Sequence, residues 1–126
     1  MTESEFSSNV RSFRDLKVWQ MAVTLVVEIY AVTRRFPTDE RFGLTMQLRR
    51  ASVSVASNIA EGHVRHSRRE YRHFIAFARG SIAEIETQLL IAERLRHATP
   101  SDLAIANDLA GQVARMLNRL HARLGE

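Results

Sequence analysis

The sequence contains no cysteine, which removes disulfide staples and thiolate metal sites together. Only two prolines, Pro37 and Pro100, and five glycines interrupt 126 residues. So few breakers exclude a protein of short strands and tight turns and favour long helices. Long hydrophobic runs are also missing. The most apolar stretch, residues 21–32, is broken by Thr24 and Glu28 and falls short of the ~20 apolar residues that cross a bilayer. The first residues are polar, with Glu3 and Glu5 where a secretory leader carries positive charge. Together these absences predict a cytoplasmic protein that makes no membrane contact. Lysine is nearly absent as well: Lys17 is the only one among 18 basic residues in a chain of net charge +4. Arginine therefore carries the positive charge, and its planar fork suits phosphate and carboxylate. Modest basicity is a weak pointer to nucleic acid and says nothing about fold.

What is present is helical periodicity over one domain's length of chain. Residues 1–11 show no pattern and read as a disordered tail. Ser12 and Asp15 have capping-box spacing, and a first helix is predicted over about 13–35, ended by Pro37. Thr38, with Asp39 and Glu40 behind it, is the expected cap of a second helix over 39–61, closed by Gly62 in a left-handed cap. Ser67 and Glu70 open a third over 68–96, where Gly80 offers a close helix contact. Thr99, Pro100 and Asp102 open a fourth over 100–124. In each of the last three helices apolar residues recur at steps of three and four. One such stripe is Leu103, Ala106, Ala110, Val113, Leu117, Leu120 and Leu124. Short connections place neighbours antiparallel, so the prediction for 12–126 is an all-α, up-down four-helix bundle.

The first helix differs from the others. Its polar positions form one narrow strip, and the rest of its circumference, including Trp19, Val23, Val26, Val27 and Tyr30, is apolar. A bundle covers one face of each helix, so the surplus either meets another copy of the chain or is a generous core margin. The first alternative makes those five residues a subunit interface.

Two polar groups invite a chemical reading. Arg65, His66, Arg68, Arg69 and Arg72, with His63 and His73, crowd the joint between helices two and three, where Glu70 is the only acid. Guanidinium groups and a helix N-terminus together suit phosphate. The plain alternative is a solvated charged end, and Tyr71 and Phe74 fit the core stripe better than a base-stacking platform. Arg49, Arg50, Asn58, Glu61, Glu84 and Glu86 form a second group, expected to pair across helices two and three and fix their register. Metal sites find little support. His63 and His66 have basic neighbours, and Glu70 to His73 is a single Glu-x-x-His where a di-iron bundle needs two. Ser52, Ser54 and Ser57 lie in a small-residue run suited to close packing, not to nucleophilic catalysis, and no Gly-rich phosphate loop exists. No catalytic residue, metal or cofactor is therefore expected, and no enzyme activity.

Ser12-Phe13-Arg14-Asp15-Leu16-Lys17-Val18-Trp19-Gln20 resembles the opening segment of the bacterial four-helix bundle proteins encoded in intervening sequences of 23S rRNA genes. Gly43-Leu44-Thr45 and Gln47-Leu48-Arg49-Arg50-Ala51 are similar to that family's second-helix start. Ser57-Asn58-Ile59-Ala60-Glu61-Gly62 is the most specific piece, followed in order by Glu70-Tyr71, Gly80-Ser81 and Glu84-Ile85-Glu86-Thr87-Gln88-Leu89. The likeness runs from about residue 12 to residue 95, and the fourth helix agrees only as a pattern. The resemblance implies a four-helix bundle and, with the related accessory proteins of diversity-generating retroelements, a homopentameric ring. Those relatives bind a reverse transcriptase and nucleic acid. The expectation is a non-enzymatic oligomeric scaffold that binds RNA or DNA, structured RNA foremost, through the Arg-rich joint. The alternative is a module that docks a partner protein such as a reverse transcriptase.

Overall fold

The computed structural model describes residues 12–126, so the tail expected over residues 1–11 lies outside the described residues. Four helices follow one another: α1 (Lys17–Thr33), α2 (Leu44–His63), α3 (Arg68–Arg94) and α4 (Pro100–Leu124). No strand occurs among the described residues. Each helix packs on the next, and α4 returns against α1, the cyclic order of an up-down bundle. Side-chain pairs along the α2–α3 seam give the antiparallel register. Gln47 meets Gln88, Ser54 meets Ser81, and Gly62 meets Phe74, one number rising as the other falls. The periodic stripes converge on a common core in which Leu25, Ile29, Leu48, Ile59, Ile85, Leu89, Leu117 and Leu120 are essentially dry. Each such side chain contributes about 1.5–3 kcal/mol of burial.

Local chemistry sets the helix ends. Ser12 accepts from the Arg14 amide while Asp15 accepts from the Ser12 amide, but this box closes a single 3₁₀ turn, Phe13–Asp15, and α1 begins at Lys17. Thr99 and Asp102 make the same reciprocal pair at the start of α4, with Pro100 in the first turn. The second helix starts at Leu44, later than its expected beginning at 39. Thr38–Glu40 form only a 3₁₀ turn, because Gly43 takes a non-helical conformation and interrupts the path. The Glu40 carboxylate then accepts the Leu44 amide at 3.1 Å and serves as the cap from outside the helix. Its other oxygen holds His97 Nε2 at 2.7 Å, tying the α1–α2 and α3–α4 connections together.

Two glycines act otherwise than expected. Gly62 is not a left-handed cap. It lies inside α2, fully helical and buried, where a Cβ would stand 2.8 Å from the Phe74 Cβ and 3.1 Å from the Tyr71 ring. It sets how closely α2 and α3 approach. Gly80, expected to allow a close helix contact, has open space where its Cβ would be.

The apolar surplus of α1 is largely absorbed. Val18, Ala22, Leu25, Ile29 and Val32 are core, and Trp19 packs edge-on against Phe13 at 5.2 Å. Val23, Val26 and Tyr30 are half-buried, and Tyr30 lies under the Arg49 guanidinium at 4.6 Å. Val27 alone among the five candidate interface residues is wet, at 65% exposure. Beside α1, Phe42 in the α1–α2 connection and Val53 on the outer side of α2 are also exposed. A groove of about 600 Å3 runs there, lined by Tyr30, Phe42, Met46 and Val53 with Arg41, Arg49 and Arg50. The apolar surface left uncovered near α1 is therefore shared with α2 and the connection before it, and further exposed apolar side chains, among them Phe77, Leu90 and Ile105, lie on α3 and α4.

Candidate nucleic-acid interface

The antiparallel order brings the end of α2, the start of α3 and the end of α4 to one end of the bundle. Ser67 caps α3, its hydroxyl accepting the Glu70 amide at 3.1 Å, so the basic residues after it are held on a rigid first turn. There the arginines divide into two sets. Arg68 and Arg72 lie on the α4 side. Arg68 Nη2 donates to the Arg123 carbonyl at 2.6 Å, and Arg72 Nε donates to the His121 carbonyl at 3.0 Å. Both carbonyls belong to the last turn of α4, where acceptors lack partners four residues on and the helix dipole is negative. These two cations complete that helix end.

His121 extends the same contact. Its Nδ1 faces Arg72 Nη2 at 3.4 Å and Arg79 Nη1 at 3.1 Å, and Arg79 Nε also donates to Asn118 at 2.9 Å. Guanidinium groups only donate, so Nδ1 is the acceptor and the ring is neutral. Burial, followed by the charges of Arg72 and Arg79, holds the His121 pKa below its ordinary value. Burial lowers His63 in the same direction, with Asp15 opposing; its ring stands edge-on to Tyr71 at 5.7 Å.

The second set faces the α2 side. Arg65 Nη2 pairs with Glu61 at 3.1 Å, one turn earlier, and its guanidinium lies 4.6 Å above the Phe74 ring. Arg69 and His66 are exposed and make no hydrogen bond or ion pair with the described residues. Arg65, Ser67, Arg69, Glu70, His73 and Phe74 line an open groove of about 640 Å3. Of the five residues expected to contact nucleic acid, Arg65 and Arg69 therefore line an accessible groove, His66 is exposed, and Arg68 and Arg72 are turned to α4.

The second polar group is not brought together as expected. Arg49 donates to Thr33 Oγ1 at 2.9 Å and stacks on Tyr30, so it binds α1. Glu61 pairs with Arg65 one turn on, and Glu84 and Glu86 form no ion pair within 4 Å among the described residues. Arg50 and Glu84 line one shallow groove without such contact. The α2–α3 seam is held instead by neutral groups. Ser54 and Ser81 hydroxyls meet at 3.0 Å, Asn58 Nδ2 donates to the Ser54 carbonyl and hydroxyl, and Gln88 Nε2 donates to Gln47.

Sequence reading missed an aromatic cluster beside the groove. Phe77 is 51% exposed, His73 stands edge-on to it at 4.6 Å, and Phe74 lies 6.2 Å from it. The signal was the spacing Arg69, His73, Phe77, which puts one side chain per turn on one line of α3. The α4 partners of Arg68 and Arg72 left no such signal, being far away in the chain.

Fold and site together define a class: an up-down four-helix bundle with a basic groove at one end. Residues 14–119 match the model of the 23S rRNA-intervening sequence proteins, and the chain belongs to that family. The match extends through most of α4, beyond the likeness that ends near residue 95. A crystal structure of a protein with unknown function from the S23 ribosomal protein family of Bacteroides thetaiotaomicron has the same fold, with a TM-score of 0.77 at 19% identity. The similarity covers 82% of this chain and 97% of that one. No curated protein matches the chain significantly. Among the described residues no helix is long and apolar enough to cross a membrane.

Proposed function

We propose that this protein is a non-enzymatic, self-associating cytoplasmic scaffold that holds RNA against the Arg65–Arg69 side of its basic end. One observation carries the reading. The arginines at this end are divided, two completing α4 while the exposed Arg69 guanidinium lines an open groove with no acceptor for its donors among the described residues. Phosphate supplies the acceptors these donors lack. A scaffold role fits serines that bond to backbone and to each other, Ser52 to the Arg49 carbonyl and Ser54 to Ser81, and not to a general base. Self-association is supported by the Val27, Phe42 and Val53 side of the bundle, and the family resemblance points to five copies. A ring repeats a weak groove several times, and avidity strengthens the hold on a long strand.

Filter retention of labelled RNA at low salt tests the binding. Arg65→Ala with Arg69→Ala is expected to abolish retention with the fold intact. Arg68→Ala or Arg72→Ala is expected to loosen the end of α4 while most retention survives. Equal loss in both pairs, or none in either, contradicts the assignment. A second reading, docking of a partner protein such as a reverse transcriptase, is favoured by the α1–α2 groove, where three arginines rim an apolar floor. A pull-down that yields one stoichiometric protein and no nucleic acid would support it over the first.

A further inference from the structure

The geometry points to a base-stacking site on α3: Phe77, backed by His73, takes an unpaired base of a single-stranded RNA whose backbone runs past Arg69 and Arg65. This inference rests on the reading of the basic end as an RNA surface and narrows it from RNA in general to strands with free bases. Arg69, His73 and Phe77 are four residues apart, so they stand on one line of α3 with about 6 Å between successive positions. Basic groove and exposed ring are thus neighbours on one rigid helix, not on separate loops. The Phe77 ring is half exposed, and the edge-on contact from His73 at 4.6 Å fixes its orientation. Phe74, half-buried, stands edge-on to it with ring centroids 6.2 Å apart. The aromatic floor of the groove is occupied differently, since the Arg65 guanidinium covers Phe74 at 4.6 Å. Phe77 is therefore the ring open to a ligand.

A duplex hides its base faces and offers this surface only phosphates. A single strand offers phosphate to Arg69 and a π-face to Phe77, and stacking of this kind tolerates any base. On α3 the basic line is short, because Arg68 and Arg72, which would extend it into a longer face, are bound to α4. Among exposed apolar side chains on α3, Phe77 is the one beside the cations of the groove. Leu90, Ile91 and Leu95 lie three turns or more further along.

The test measures fluorescence anisotropy of a labelled RNA single strand and of the blunt RNA duplex of equal length, at low salt, with the full chain. The wild type is expected to prefer the single strand. Phe77→Ala should weaken the single strand by roughly 5- to 160-fold, the worth of one stacked base, and leave the duplex unchanged. Phe77→Trp should retain the single-strand affinity. Far-ultraviolet circular dichroism checks that the fold survives, as the exposure of this ring suggests it will. Equal effects on both RNAs, or no effect of Phe77→Ala, overturns the stacking site while leaving the basic end as an RNA surface. A change in particle mass with Phe77→Ala overturns it too, since the ring would then be covered by a neighbouring copy or a protein partner. Binding of neither RNA by the wild type defeats the reading of the basic end itself.

Discussion

At Gly62 one hydrogen in place of a methyl group decides how two helices meet. The nearest obstacle to a Cβ there is the Phe74 Cβ at 2.8 Å, an atom that no rotamer change can move. Gly62→Ala is expected to push α2 and α3 apart and destabilise the fold by about 1–3 kcal/mol, read from the midpoint of urea unfolding. Gly80→Ala, with open space around it, is expected to stabilise if anything, since alanine is the better helix former. Titratable residues give a second expectation. Glu40 is held low by the Leu44 amide and then by His97, and Asp102 by the Thr99 amide and hydroxyl and by Arg35. Both contribute stability above the ordinary carboxylate range and lose it as pH falls through their lowered folded values. His63 and His121 are lowered bases, so the unfolded chain takes up their protons first as pH falls through the ordinary value of 6.5. All four groups act in the same direction. The thermal midpoint is therefore expected to be level from neutral to mildly alkaline pH and to decline below about pH 6.5, first through the histidines and then through the carboxylates. His121→Gln, which keeps an acceptor for Arg72 and Arg79, should shrink the first step; an unchanged step would contradict the assignment.

Among the elements, the helices were more legible than their ends. Apolar steps of three and four located all four, the reciprocal Ser12–Asp15 pair formed as its spacing suggested, and Thr99 and Asp102 close a second such box at the expected start of α4. The start of α2 was not legible, because its cap is the side chain of Glu40 reaching past Gly43, a tertiary arrangement also anchored by His97. The end of α3 falls at Arg94, short of the expected 96, for a similar reason. Leu95 is the last half-helical residue, and Arg96 turns left-handed at φ 62°. The His97 amide then reaches the Ala92 carbonyl and the Arg96 amide the Glu93 carbonyl, a Schellman ending without its usual glycine. Arg96→Gly is expected to relieve this strain and gain about 0.5–1 kcal/mol. A loss of stability in the same unfolding assay would mean that the Arg96 side chain contributes more than its backbone costs. The polar seam between α2 and α3 shows the limit of reading charges by type. Arg49, Glu61 and Glu84 looked like partners by composition, yet Arg49 turned to α1, Glu61 to nearby Arg65, and neutral Ser54 and Ser81 met instead. Spacing along one helix was readable; which face of the neighbour lies opposite was not.

At the scale of the whole molecule the same limit governs the site. The density of basic residues at the α2–α3 joint was plain in the sequence, and the fold gathers those residues at one end of the bundle. Its division was hidden, because the acceptors for Arg68 and Arg72 are main-chain carbonyls at the far end of a helix that begins only at Pro100. Likewise the excess apolar character of α1 was visible, but the bundle covers most of it and leaves a shared α1–α2 side with Val27, Phe42 and Val53 exposed. That side and the basic groove share no lining residue, so assembly and RNA contact are expected to be independent properties of one fold. Val27→Asp should reduce the particle mass in sedimentation without removing the groove. The most direct measurement of the central proposal is the salt dependence of RNA affinity for the wild type and for the Arg65→Ala, Arg69→Ala double variant. Phosphate contact releases counterions, so log affinity should fall linearly with log salt for the wild type. The double variant should bind more weakly and with a shallower slope, by roughly 0.7 for each single-strand phosphate that it no longer neutralises. An unchanged slope in the double variant, or wild-type binding indifferent to salt, would contradict the proposal that this end of the bundle holds RNA.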